Sequence, residues 1–194
     1  MGSKIEISGL CIKYNDINVI DNFSYIFEDG HSYCITGSSG IGKTSLVNAI
    51  MGLIPYTGNI TVSSNKIAAV FQENRLLEHL TPYRNIALCK DFAYTEEDVY
   101  RLLHIAGLSD YAHKKTATLS GGMKRRVCVL RALLAPKDIL ILDEPFTGMD
   151  YKNKDVMISL IKKYTAGCTT LLISHNQEDA SMLNATTINL NSIR

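Results

Sequence analysis

The chain has 194 residues, 46% of them hydrophobic and 20% charged, with a formal charge of +1 at pH 7. That size and composition suit one soluble globular domain, and the near-zero balance excludes a polybasic field for nucleic acid or anionic lipid, so any anion must be met by a local site. No apolar run approaches the ~18 residues of a spanning helix, no signal pattern opens the chain, and five scattered cysteines form no CxxC pair, so a cytoplasmic, reducing location is expected.

The first 36 residues read as strands. Ile5, Ile7 and Ile12 fall on alternating phases with a slip near Gly9, and Phe23, Tyr25 and Phe27 alternate before an Asp29-Gly30 turn. Tyr33 to Thr36 is a short buried-type strand. It runs into Gly37-Ser38-Ser39-Gly40-Ile41-Gly42-Lys43-Thr44, which satisfies GxxxxGK(S/T) between a strand and a helix. Glycines let a backbone wrap phosphates so that N–H groups and a helix start face the anion. Lys43 would neutralise the β- and γ-phosphates, Thr44 would offer its hydroxyl to Mg²⁺, and Ser45 is placed to reach an inner phosphate.

Leu46, Val47, Ile50, Leu53 and Ile54 then keep helical spacing. A turn at Thr57-Gly58-Asn59 introduces a strand pair, Ile60 to Val62 and Ile67 to Phe71. Thr81-Pro82 reads as an N-cap with proline at the first helical position. Thr95-Glu96-Glu97-Asp98 resembles a capping box opening a helix through Val99, Leu102, Leu103 and Ala106. Residues 73–118 would form a helical lobe inserted into the rest.

Leu119-Ser120-Gly121-Gly122-Met123-Lys124-Arg125-Arg126 starts another helix, with Val127, Leu130 and Leu134 on its apolar face. Its serine hydroxyl, free N–H groups and dipole could hold a second anion, although a plain N-cap reads the same locally. Ile139 to Leu142 is a buried strand ending in Asp143 and Glu144. Asp143 would hold Mg²⁺ through water, and Glu144 would orient and deprotonate an attacking water. A helix from Val156 to Tyr164, a strand from Thr169 to Ser174 ending at His175, a helix and a strand complete the chain. Buried strands alternating with helices imply a mainly parallel sheet covered on both faces.

Taken together, GSSGIGKT, LSGGMKRR and ILILDEP are similar to the Walker A, signature and Walker B motifs of the nucleotide-binding domains of ABC transporters. The resemblance spans almost the whole chain. It implies an α/β P-loop NTPase with a mainly parallel central sheet, an N-terminal antiparallel β subdomain and an inserted α-helical subdomain, making one domain over residues 1–194. It further implies that Tyr14 stacks on adenine, Gln72 touches Mg²⁺ and joins the two lobes, Asp150 lies at a dimer interface, and His175 meets the γ-phosphate. Ser120, Gly121 and Gly122 would clamp the ATP held by Gly37 to Ser45 of a second subunit, in a homodimer.

The implied partners are ATP, that second subunit, an integral membrane permease to which the chain binds peripherally on the cytoplasmic face, and an extracytoplasmic solute-binding protein. Phe71-Gln72-Glu73-Asn74-Arg75-Leu76-Leu77 looks like the ATPases of nitrate, sulfonate and taurine importers, which favours import. An exporter subunit and a non-transport ABC ATPase are the alternatives. Two departures stand out: the stretch from Lys43 to Gln72 is short, which should trim the antiparallel lobe, and Thr147-Gly148-Met149-Asp150 replaces the family's usual Ser-Ala-Leu-Asp.

Overall fold

The computed structural model describes residues 2–15 and 17–192. Three strands, β1 (Ile5–Tyr14), β2 (Ile17–Phe27) and β4 (Thr57–Val62), form an antiparallel sheet in the order β2-β1-β4. The slip near Gly9 is real: the β1–β2 register shifts between Ile7 and Leu10, and the β1–β4 register between Ser8 and Cys11. The Thr57-Gly58-Asn59 stretch is not a turn but the start of β4, where Gly58 passes close over the Gly9 carbonyl at that bulge.

The second sheet is parallel, in the order β5-β6-β7-β3-β8, from β3 (Ser32–Thr36), β5 (Ile67–Val70), β6 (Ile139–Asp143), β7 (Thr169–Ile173) and β8 (Thr186–Asn189). The expected pairing of residues 60–62 with 67–71 therefore fails. β4 is taken up by β1, with Val62 opposite Ile5, while β5 pairs with β6, Ala68 opposite Leu140. Both segments read as strands for the same reason, half-buried apolar alternation, and that signal does not name a partner.

All five residues of β6 are buried, and successive side chains point to opposite faces. Ile139 and Ile141 join one core with the antiparallel sheet and α1 (Lys43–Ile50). Leu140 and Leu142 join the other, with α4 (Gly121–Leu134), α5 (Tyr151–Tyr164) and the helical lobe. The lobe holds α2 (Pro82–Ala87), capped by Thr81 Oγ1 on the Arg84 N–H, and α3 (Glu96–Ile105), opened by a two-way capping box between Thr95 and Asp98. Buried Asn85 pins it: its amide donates to the Leu77 and Thr81 carbonyls and to Thr116 Oγ1, and its oxygen accepts from the Leu77 N–H.

Two helix limits differ from the periodicity. α1 stops at Ile50, because the Gly52 and Leu53 N–H groups turn back to the Ala49 and Asn48 carbonyls at 2.9 Å each. α5 begins at Tyr151, five residues before the apolar stripe, because Asp150 Oδ1 caps the Asn153 N–H at 2.8 Å. In the parallel sheet, Ile35 and Asp143 both lie opposite Ile173, and Val70 lies opposite Leu142. The chain therefore leaves β3, β5, β6 and β7 at one edge, which is where ligands bind in open α/β sheets.

Candidate functional site

At that edge lies a cleft of about 240 Å³. The glycine-rich loop contributes Ser39, Gly40, Gly42, Lys43, Thr44 and Ser45, and the facing strand ends contribute Gln72, Asp143, Glu144 and His175. Gly42 caps α1 in a left-handed conformation (φ +107°), where a Cβ would sit 2.8 Å from the Val19 side chain, so only glycine fits both the turn and the packing. No side chain caps the helix and its first turn holds no acid, which leaves the N-terminal amides open to an anion. Lys43 is 7% exposed, and its Nζ donates to the Gly37 and Ser38 carbonyls at 2.9 Å each. Among the described residues it has no carboxylate within ion-pair distance.

Opposite the loop, Asp143 is 3% exposed and accepts from Thr44 Oγ1 at 2.8 Å through Oδ2. Its Oδ1 is buried without a hydrogen-bond partner. Burial pushes the Asp143 carboxyl above its ordinary range, against the Thr44 hydrogen bond and the nearby Arg125 and Lys43 charges. A hydroxyl and a half-satisfied carboxylate facing one cleft fit a hard divalent cation that takes its other oxygens from phosphates and water. Among the described residues no cluster of three His, Cys, Asp or Glu side chains is placed to hold a metal ion.

Glu144 is left-handed at φ +51°, a rare conformation outside glycine and one often found at functional sites. Its N–H donates to the Ile173 carbonyl at 3.0 Å, and His175 Nε2 lies 3.3 Å from its Oε1. Burial raises the Glu144 carboxyl, with His175 acting the other way. His175 is exposed, but the backbone before it is anchored: Ser174 Oγ donates to buried Asp179 at 2.6 Å, and Asp179 pairs with Lys154 of α5.

The structure thus gathers Ser39, Gly40, Gly42, Lys43, Thr44, Ser45, Gln72, Asp143, Glu144 and His175 around one cleft. Gly37, Ser38 and Ile41 belong to the same loop without lining it, and Ser38 Oγ turns away to Asn191 at 3.2 Å. Tyr14 ends β1 in an exposed position outside the lining. Ser120, Gly121 and Gly122 are also absent from the lining. Ser120 is exposed and caps α4 by accepting from the Met123 N–H at 3.3 Å.

One residue of the neighbourhood escaped the sequence reading. Arg125 is 2% exposed and donates to the carbonyls of Phe71, Asp143 and Glu144. The available signal was a cation three residues before Cys128 and four before Val129, on the buried stripe of a helix.

Comparison with known proteins relates the chain to one family, several curated relatives and solved structures. The sequence profile of a family described as ABC transporter matches residues 20–147. The chain is 34% identical to the thiamine import ATP-binding protein of Haemophilus influenzae, covering 85% of each. It is 31% identical to the sulfate/thiosulfate import ATP-binding protein of Vibrio vulnificus, over 91% of this chain and 57% of that one. It is 30% identical to the spermidine/putrescine import ATP-binding protein of Pasteurella multocida, over 91% and 52%. The chain therefore spans little more than half the length of these last two relatives.

Among solved structures, a dimeric ATP-binding cassette in a post-hydrolysis state with ADP and phosphate superposes with a TM-score of 0.79 at 24% identity, over 92% of this chain and 90% of that one. A bacterial Atm1-family exporter with ATP bound gives 0.82 at 20%, over 93% and 36%. At those identities the two likenesses show the fold.

Proposed function

Since the chain belongs to the ABC transporter family of ATP-binding proteins, we propose that it binds and hydrolyses ATP as one half of a two-fold dimer, and so drives solute import through a separate permease. Lys43 carries the reading. It is a nearly buried cation whose Nζ donates to two carbonyls of its own loop, with no carboxylate in ion-pair reach among the described residues, beneath an uncapped helix start. Such a charge is matched by a polyphosphate.

In this reading the triphosphate lies along the loop amides, and Lys43 exchanges the Gly37 and Ser38 carbonyls for β- and γ-phosphate oxygens. The Ser45 hydroxyl meets an inner phosphate. A Mg²⁺ ion, held by Thr44, by Gln72 and by Asp143 through water, would neutralise charge on the phosphates. Glu144 accepts a proton from the attacking water, and burial keeps that carboxylate more basic than an exposed one. His175, 3.3 Å from Glu144, steadies it and meets the γ-phosphate.

Ser120, Gly121 and Gly122 lie outside the lining of the cleft, so they serve the nucleotide of the partner subunit, and Asp150 stands at the interface between the two. Tyr14 stacks on adenine. The whole chain acts as one ABC ATPase domain with residues 73–118 as its inserted lobe. The stretch from Gln72 to Ala87 docks the permease at the cytoplasmic face, with Leu77 exposed for that contact. The three relatives are named for importing sulfate or thiosulfate, polyamines, and thiamine. Solutes so unlike in charge and shape point to cargo choice in the permease and in an extracytoplasmic binding protein. Membership of the nitrate, sulfonate and taurine branch rests on residues 71–77 with Leu80-Thr81 beyond them.

The test is Glu144→Gln. The amide keeps the volume and cannot take a proton, so turnover should fall at least ~100-fold with ATP binding retained. The variant should also collect as an ATP-bound dimer on size-exclusion chromatography. Hydrolysis near the wild-type rate would remove Glu144 as the base.

A further inference from the structure

We propose that Arg125 is a positioning residue for hydrolysis, whose guanidinium fixes the backbone carrying Gln72, Asp143 and Glu144 and ties it to the Ser120 helix. The proposal rests on the ATPase reading above. Arg125 lies five residues after Ser120, in the second turn of α4, at 2% exposure. Nη1 donates to the Phe71 carbonyl at 2.5 Å, and Nη2 to those of Asp143 at 2.7 Å and Glu144 at 2.8 Å. Nε reaches the Glu144 carbonyl as well, at 3.0 Å. Every acceptor is main chain. One planar fork therefore spans the ends of two neighbouring strands, β5 and β6.

Glu144 explains why such a grip matters. A left-handed glutamate persists only where its surroundings hold it. Here its N–H is held by Ile173 and its carbonyl by two donors of Arg125. With both peptide groups fixed, the side chain is aimed at His175 and the cleft.

Arg125 does not act alone on this helix face. Cys128 Sγ donates to the Asn74 carbonyl at 2.8 Å, and Arg131 Nη1 to the Arg75 carbonyl at 2.9 Å. Residues 125, 128 and 131 are spaced about one turn apart, so α4 holds the 71–75 segment along its length. A shift of α4, whose N-terminus would meet the partner subunit's nucleotide, is then passed to Gln72 and Glu144 as movement of their backbone. Lysine offers one nitrogen where arginine offers a fork, so the exchange is not conservative at this position.

The experiment measures kcat, KM and binding of a fluorescent ATP analogue for the full-length wild type, Arg125→Met and Arg125→Lys, with melting curves to verify folding. Arg125→Met should lose at least ~10-fold in kcat while KM and analogue affinity stay within ~3-fold, and Arg125→Lys should recover part of the rate. A merely structural arginine would lower melting temperature and binding together and leave kcat per folded molecule alone. Folded Arg125→Met turning over within ~2-fold of wild type overturns the assignment. Should Arg125→Met not fold, Arg125→Lys decides by the same split. Wild-type turnover that Glu144→Gln silences is the control. If that control fails, the ATPase reading falls and this proposal falls with it; if it holds, only Arg125 is at stake.

Discussion

Two helices of this chain begin in glycine-rich sequence, α1 after Gly42 and α4 after Ser120, and the structure treats them differently. α1 starts without a side-chain cap, with a buried cation beneath the loop and two carboxylates across the cleft. α4 starts with its own cap in place and an exposed serine. Dipole and free amides are common to both, so they do not make a site by themselves. Convergence from other strands makes the first one. The second has open space in front of it: a Cβ on Gly121 meets nothing within 4 Å, while one on Gly122 would lie 2.3 Å from the Gly148 carbonyl. Its inner side is built to touch the 147–149 loop, and its outer side at Gly121 is open, which is where the proposed dimer would bring a second chain.

The strongest way to break this comparison is to spoil each helix start separately and then mix. Lys43→Ala removes the cation from the complete half and should abolish turnover. Ser120→Arg places a bulky cation on the open half and should do the same without unfolding the chain. A mixed dimer carries one site spoiled twice and one site intact, so equal mixing should restore about a quarter of the wild-type sites. ATPase activity against mixing ratio is the measurement. No recovery at any ratio, with both variants folded, would mean that each chain works on its own nucleotide and that α4 faces no partner.

The two helix starts also differ in how they could be read from sequence. The loop, its lysine and the Asp143-Glu144 pair were legible because a strand, a turn and a helix follow one another within a few residues. The same holds for the caps at Thr81 and Thr95 and for the bulge near Gly9. Contacts that depend on distant chain were not legible. Periodicity marked residues 60–62 and 67–71 as strands without saying that they belong to different sheets. Nothing local told that Gly122 meets Gly148, or that Arg125 spends its donors on three carbonyls 18 to 54 residues away. The start of α5 was missed because residues 151–155 are polar and mostly exposed, and only the Asp150 cap marks the boundary.

A milder test sharpens the complete half through pH. Burial raises the Glu144 carboxyl above its ordinary value of 4.5, and the His175 interaction lowers it. As the proposed base, Glu144 would work only when ionised, so turnover should fall as pH drops through that raised value, at a higher pH than an ordinary glutamate would give. Replacing His175 by alanine removes the lowering influence. The acid limb of the residual activity should then move to still higher pH, read from kcat/KM profiles of the two proteins. An acid limb that moves down, or stays in place, would detach His175 from Glu144.

The smallest effect is expected at Gly121, and it separates folding from partnership most cleanly. Gly121→Ala adds a methyl at the first position of α4, where it touches nothing and where alanine favours the helix. Melting temperature should stay within about 2 °C of wild type, and ATP binding to the single chain should not change. Gly122→Ala drives a methyl into the Gly148 carbonyl, so the 147–149 backbone must yield, at about 1–3 kcal/mol in stability. If the open front of α4 is where a second chain brings its nucleotide, Gly121→Ala should still lower turnover a few-fold despite its silent effect on the fold. Calorimetry beside steady-state ATPase assays reads both quantities. Equal stability with equal turnover would mean that the space before Gly121 is solvent and stays so during the reaction.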